Sequence, residues 1–241
     1  SRAIDDYQTE AFTLQFLAGI HLSLADRGYS LLFKPCNSLS EEGNIYRMWA
    51  KGKRVDGVVL TDLREHDPRP QLLAELKLPA VLAGGPDPSG LVPSLSIDDG
   101  QTMKTVLTHL CARGYRRIAY LAGDQNLAYC EKRVQAFRSF FQEHPVDATW
   151  TEFTGFAEEQ SVRITQQLLS LPNPPDAFVF ETDAIASICV RTIAAQLTPD
   201  HYPMVAPAAV SFEDSIVCRN SYPSITAVHR DAGQYGQKVA N

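Results

Sequence analysis

The 241-residue sequence is poor in the features that most readily announce a chemistry. Its five cysteines, Cys36, Cys111, Cys130, Cys189 and Cys218, are odd in number, widely spaced and never in a CxxC pair, so neither a disulfide framework nor a zinc knuckle is indicated. Such usage fits reduced, mostly buried thiols in a cytosolic protein. The phosphate-cradling signatures GxGxxG and GxxxxGK[ST] are absent, as are the GxSxG nucleophile elbow and HExxH. The six histidines are scattered, with no two at metal-ligand spacing on one helix, which speaks against zinc and hydrolase chemistry. No apolar run approaches the ~20 residues that cross a bilayer, and Ser1 to Asp6 has no signal-peptide core. Positive charge is scarce as well: 22 Lys and Arg against 28 Asp and Glu leave a net charge of −6, so these residues carry no basic footprint for nucleic acid. What is present is 44% hydrophobic residues with only 21% charged, the composition of a folded chain with a sizeable core.

Strand-like apolar runs alternate along the chain with helix-like periodic runs, which predicts an α/β fold of parallel sheets covered by helices on both faces. Phe12, Phe16, Ile20 and Leu24 recur every four residues, and Gly28 supplies a helix stop. Tyr29 to Phe33 then reads as a strand, Ser40-Glu41-Glu42 as the start of a second helix, and Val55 to Leu60 as a buried strand. Helix Pro70 to Leu76, strand Pro79 to Ala83, a Gly- and Pro-rich loop over 84 to 90, and strand Ser94 to Ile97 follow. Asp98-Asp99-Gly100 caps a helix reaching about Arg113. Strands are expected at 117–121, 150–153, 176–181 and 208–212, helices at 131–142, 158–171 and 183–196, and a polar loop at 197–207. A helix begins at Asp231 and ends with the sequence after about three turns, and a sheet element is expected ahead of the first helix, so the functional chain is expected to be longer.

In open parallel sheets, small ligands bind at the C-terminal ends of the strands. Thr61 and Asp62, Gly84 and Gly85, Thr182 and Asp183, and Glu213 and Asp214 fall there. Ordinary loops and caps use the same residue types, and Asp183, directly before a helix, reads as an N-cap.

Four segments in order carry a family resemblance: Leu17-Ala18-Gly19-Ile20 with Arg27-Gly28-Tyr29; Arg54 to Leu60; Asp98-Asp99-Gly100 through the stretch RGYRRIAYLAG over 113–123; and Val210-Ser211-Phe212-Glu213-Asp214-Ser215 through Pro223 to Val228. Together they resemble the effector-binding region of the LacI/GalR transcription regulators, whose fold is shared with periplasmic sugar-binding proteins. The resemblance covers nearly the whole chain. It implies two similar lobes, residues 1–96 with 229–241 and residues 97–228, with an effector in the cleft between them. Such regulators read DNA with an N-terminal helix-turn-helix domain and hinge helix, neither of which is in these residues.

By motif, the resemblance implies Arg133 and Glu213 as pocket residues, a fork of donors and a hydroxyl acceptor. Competing readings are an exposed helix salt bridge for Arg133 and a capping acid for Glu213. Phe12, Phe16 and Phe156 match positions where the family sets apolar groups against its ligand, with burial in the core as the alternative. Thr182 and Arg230 match two further polar positions, and Asp62 and Asp183 complete the candidate set. Gly84 stands where an acidic residue is common in the family, and Ser211 where glycine is. The resulting expectation is a non-enzymatic, cytoplasmic sensor and homodimerisation region that takes a small polar effector, a sugar or related metabolite, needs no cofactor or metal, and meets operator DNA only through the domain absent here. The alternative is a periplasmic-type solute-binding protein, and an enzyme is the third reading.

Overall fold

In the computed structural model, residues 11–196 and 206–241 are described. Most of the loop expected at 197–207 therefore lies outside the described residues. The chain divides into two compact units, Ser1–Ile97 with Asp231–Asn241, and Asp98–Arg230.

The first unit contains α1 (Ala11–Ala25), α2 (Leu39–Gly52), β1 (Val58–Leu60), α3 (Arg69–Glu75), β2 (Ala80–Ala83), β3 (Ser94–Leu95) and α9 (Ala232–Ala240). The strands form a parallel sheet in the order β1-β2-β3, with Val59 opposite Val81 and Ala83 opposite Leu95. Because strand side chains alternate, Val59, Val81 and Ala83 join the core that Phe16 and Ile20 of α1 make with Ala232 and Val239 of α9, while Leu60 and Leu82 are buried outside that cluster. Helices α1 and α9 cross at glycine: a Cβ on Gly19 would lie 2.0 Å from the Gly233 carbonyl oxygen, and one on Gly236 would lie 2.2 Å from that of Phe16. Only glycine permits this approach. At the N-terminus of α2, the N-cap Ser38 Oγ accepts from the Glu41 amide at 3.1 Å and Glu41 Oε2 reaches back to accept from the amide of Asn37, one residue before the cap, at 2.9 Å.

The expected strand over Tyr29–Phe33 does not form. Tyr29, Leu32 and Phe33 are exposed, and no described strand pairs with them, so neither burial nor a ladder of hydrogen bonds repays an extended backbone.

The second unit holds α4 (Asp99–Ala112), β4 (Arg117–Ala122), α5 (Ala128–Glu143), β5 (Ala148–Phe153), α6 (Glu158–Leu169), β6 (Ala177–Phe180), α7 (Asp183–Gln196), β7 (Ala208–Ser211), α8 (Ile216–Asn220) and β8 (Thr226–Ala227). Its five strands are all parallel, in the order β5-β4-β6-β7-β8. Alternation along the central strands assigns the two faces. Ile118, Tyr120, Ala122 and Val179 pack with Met103, Leu107, Val134 and Phe137 of α4 and α5. Ala119, Leu121, Phe178 and Phe180 pack with Ile164, Leu168, Ile185 and Cys189 of α6 and α7. Burial on both faces is why β4 and β6 read as unbroken apolar runs. The short α8 and β8 were not expected from the sequence as separate elements.

Candidate functional site

The C-terminal ends of β4, β6, β7 and β8 converge with the N-terminal turns of α4 and α5 on a group of charged side chains, all within the second unit. Arg133, one turn into α5, is its centre and only 3% exposed. Its Nε and Nη2 donate to Asp99 Oδ1 at 2.9 and 2.6 Å, and its Nη1 donates to Glu181 Oε1. The guanidinium carbon lies 4.4 Å from the centre of the Phe212 ring and 5.0 Å from that of Tyr129, within cation–π range. Glu181, the residue directly after β6, accepts on its other oxygen from the Tyr120 hydroxyl and from the Gly123 amide at 3.3 Å. Arg230 lies 3.8 Å from both Asp99 Oδ1 and Glu213 Oε1.

Burial alone would lower the Arg133 pKa, but Glu181 and Asp99 together outweigh it and raise it, so the cation is firmly held. Burial and the Glu181 carboxylate push the Tyr120 phenol far above its usual range, so its hydroxyl stays a donor. The Arg230 guanidinium is shifted the other way, by burial and by the adjacent Arg133, with Glu213 and Asp99 opposing.

This arrangement brings together Arg133, Glu213 and Arg230 of the residues singled out in the sequence, and it rules out the reading of Arg133 as an exposed helix salt bridge. Thr182 and Asp183 follow Glu181 directly and are both buried, but the cap expected at Asp183 is supplied by Thr182. Thr182 Oγ1 accepts from the Ile185 amide at 3.3 Å, whereas Asp183 is the first helical residue and its Oδ1 accepts from the Ala184 amide at 2.8 Å. The N-cap is the residue before the helix, and α7 begins one residue earlier than a capping Asp183 requires.

Phe156 is half-buried with φ +62°, directly after Gly155 at +59°. A bulky residue rarely adopts this conformation. Its ring rests on Gly123, where a Cβ would be 2.3 Å from the Phe156 Cζ, and this close approach is why the stretch over 117–123 ends in glycine.

The remaining candidates belong to the first unit. Phe16 is buried and stacks on Tyr235 at 5.5 Å, and half-buried Phe12 lies 6.3 Å from Phe16. Asp62, just past β1 with φ +53°, gives its carbonyl oxygen to Arg69 Nη2 at 2.8 Å.

Sequence reasoning missed Glu181, Tyr120 and Asp99. Two signals were available: a buried strand that ends in an acid, and a tyrosine inside an otherwise apolar strand, whose hydroxyl must find a partner. Asp99 was hidden inside a cap. Asp98 is the residue that caps α4, through Oδ1 to the Gln101 amide at 2.8 Å, leaving Asp99 for Arg133.

Residues 107–241, more than half of the sequence, match the periplasmic binding protein-like domain family. The chain belongs to that family. Similar proteins by sequence are LacI-type regulators of transcription. The HTH-type transcriptional regulator CelR of Thermobifida fusca is 27% identical over 237 residues, which is 96% of this chain and 68% of CelR. The HTH-type transcriptional repressor CytR of Escherichia coli K12 is 26% identical over 180 residues, 73% of this chain and 52% of CytR. The chain thus spans about two thirds of the first relative and half of the second. Among solved structures, a CelR–cellobiose complex superposes with a TM-score of 0.86 at 26% identity, covering 100% of this chain and 73% of CelR. A LacI family regulator from Bifidobacterium animalis subsp. lactis gives 0.85 at 25% identity, covering 95% and 84%. Among the described residues no helix is long and apolar enough to cross a membrane, and no group of side chains is arranged to hold a metal ion.

Proposed function

We propose that this chain is the effector-sensing and dimerisation region of a cytoplasmic LacI-type transcription regulator, in which a small polar ligand, a sugar or related metabolite, controls DNA binding without chemical conversion. The observation that carries the reading is the Arg133 group: a buried guanidinium fixed at the C-terminal end of a parallel sheet, with Glu213 and Arg230 beside it. A positioned fork of donors next to carboxylate acceptors orients hydroxyl groups. Arg133, Glu213, Arg230, Thr182, Asp183 and Phe156 are the proposed ligand contacts of the second unit, and Phe12, Phe16 and Asp62 those of the first. CelR, a relative across most of the chain, is known with cellobiose bound, which supports a sugar as the effector class. DNA contact belongs to a helix-turn-helix segment of the whole regulator, because a net charge of −6 gives these residues no electrostatic affinity for phosphates.

A thermal-shift screen of sugars, nucleosides and small acids tests the reading. A ligand at 100 times its Kd adds about 2.7 kcal/mol of stability. A sugar is expected to raise the midpoint, and no response from any sugar would overturn the reading.

A further inference from the structure

Arg133 has five N–H donors, and protein groups take three of them: Nε and one hydrogen of Nη2 go to Asp99, and one hydrogen of Nη1 goes to Glu181. One N–H remains on each terminal nitrogen. A ligand atom accepting from either nitrogen shares it with a carboxylate and so lies within about 5 Å of carboxylate oxygens. Counted as a group, the side chains carry three carboxylates, those of Asp99, Glu181 and Glu213, against two guanidinium groups, those of Arg133 and Arg230. Without Glu181 the count would be even.

We infer that Glu181 sets the charge selectivity of the site: with it in position, the spare Arg133 donors serve hydroxyl oxygens of an uncharged polyhydroxyl ligand and turn away its carboxylate or phosphate counterparts. The inference rests on the proposed reading of this chain as a sugar sensor. Glu181 acts through Arg133 and through the local field, since its own oxygens are already occupied by Arg133, Tyr120 and the Gly123 amide. An uncharged hydroxyl feels little of the surplus negative charge, whereas an anion meets it in a partly desolvated setting, where like charges repel strongly.

The test measures calorimetric Kd values for matched pairs, cellobiose with cellobionate and glucose with glucuronate and glucose 6-phosphate, on wild type and on Glu181→Gln. The amide keeps the shape and can still accept from Arg133 while its NH2 group faces the Tyr120 oxygen, at the loss of the 3.3 Å bond from the Gly123 amide. Wild type is expected to prefer the uncharged member of a pair by at least tenfold, and Glu181→Gln to narrow that ratio by tenfold or more. A purely structural role for Glu181 would weaken both members equally and leave the ratio unchanged, which overturns the inference. Equal wild-type affinity for a sugar and its acid also overturns it, even if the variant fails to fold, and leaves the sugar reading intact. No binding of any uncharged sugar to wild type overturns the sugar reading and this inference with it.

Discussion

Each unit of the chain buries one arginine between two carboxylates, with a tyrosine hydroxyl donating to one of them, yet the two groups are built to different ends. In the first unit Arg69 is held by Asp67 and Glu42, and Tyr46 donates to Glu42. In the second, Arg133 is held by Asp99 and Glu181, and Tyr120 donates to Glu181. Arg69 also gives Nη2 to the Asp62 carbonyl at 2.8 Å, so Nε, Nη1 and both Nη2 hydrogens are engaged, and Asp67 also accepts from the Arg64 and Arg69 amides at 3.0 Å. That is a clasp tying the loop after β1 to α2 and α3. Arg133 engages no backbone carbonyl, reaches carboxylates 34 and 48 residues distant, keeps two N–H groups, and has Arg230 at the same aspartate. Arg69 is thus saturated by protein acceptors, whereas Arg133 keeps donors to spare, as its proposed role as a ligand contact requires.

The comparison breaks most visibly on removing either cation. Arg69→Ala and Arg133→Ala each strand two carboxylates and are expected to cost about 3–5 kcal/mol in chemical denaturation. They differ in ligand response: a sugar that stabilises wild type should still stabilise Arg69→Ala by a similar increment and should give no increment with Arg133→Ala. Equal ligand responses would erase the distinction. Next in size are the phenols. Tyr120→Phe leaves Glu181 Oε2 with only the Gly123 amide and should cost about 1–3 kcal/mol, whereas Tyr46→Phe, beside a Glu42 that keeps Arg69, should cost about 1 kcal/mol. Denaturant midpoints at constant slope check the order.

The smallest expected effect is in pH dependence. Burial alone would raise the Asp67 pKa, but hydrogen bonds and charge from Arg69 prevail and hold it below the ordinary value. A depressed carboxylate contributes stability that is present above the unfolded value, about 3.9, and is lost as pH falls through the folded one. Melting temperatures between pH 5 and pH 2.5 should therefore fall less steeply in Asp67→Asn than in wild type, from a lower starting point. Parallel slopes would mean that Asp67 releases its proton no more readily when folded.

Much of the architecture was legible in the sequence because periodicity is a local property. The apolar runs at 117–122 and 177–180, the helices after them, and the stop at Gly28 follow from the burial of both sheet faces and from glycine's tolerance of positive φ. The same reasoning failed at Tyr29–Phe33, since apolar composition makes a strand only where a neighbouring strand accepts its hydrogen bonds. It also took Asp183 for the N-cap of a helix over 183–196, although Thr182, the residue before that helix, is the one whose side chain accepts from the Ile185 amide.

The sequence by itself determined the fold class, the net negative charge, the absence of phosphate-cradling and metal-binding motifs, and Arg133, Glu213 and Arg230 as candidates by motif. Only the tertiary structure decided what surrounds Arg133. Asp99, Tyr120, Glu181 and Phe212 are separated from it by between 13 and 79 positions, and they meet because parallel strands deliver their C-terminal ends to one edge while helices return the chain to the other. A charge balance of that kind has no signature in the sequence, since the carboxylates that set it are indistinguishable along the chain from those that cap helices or face water.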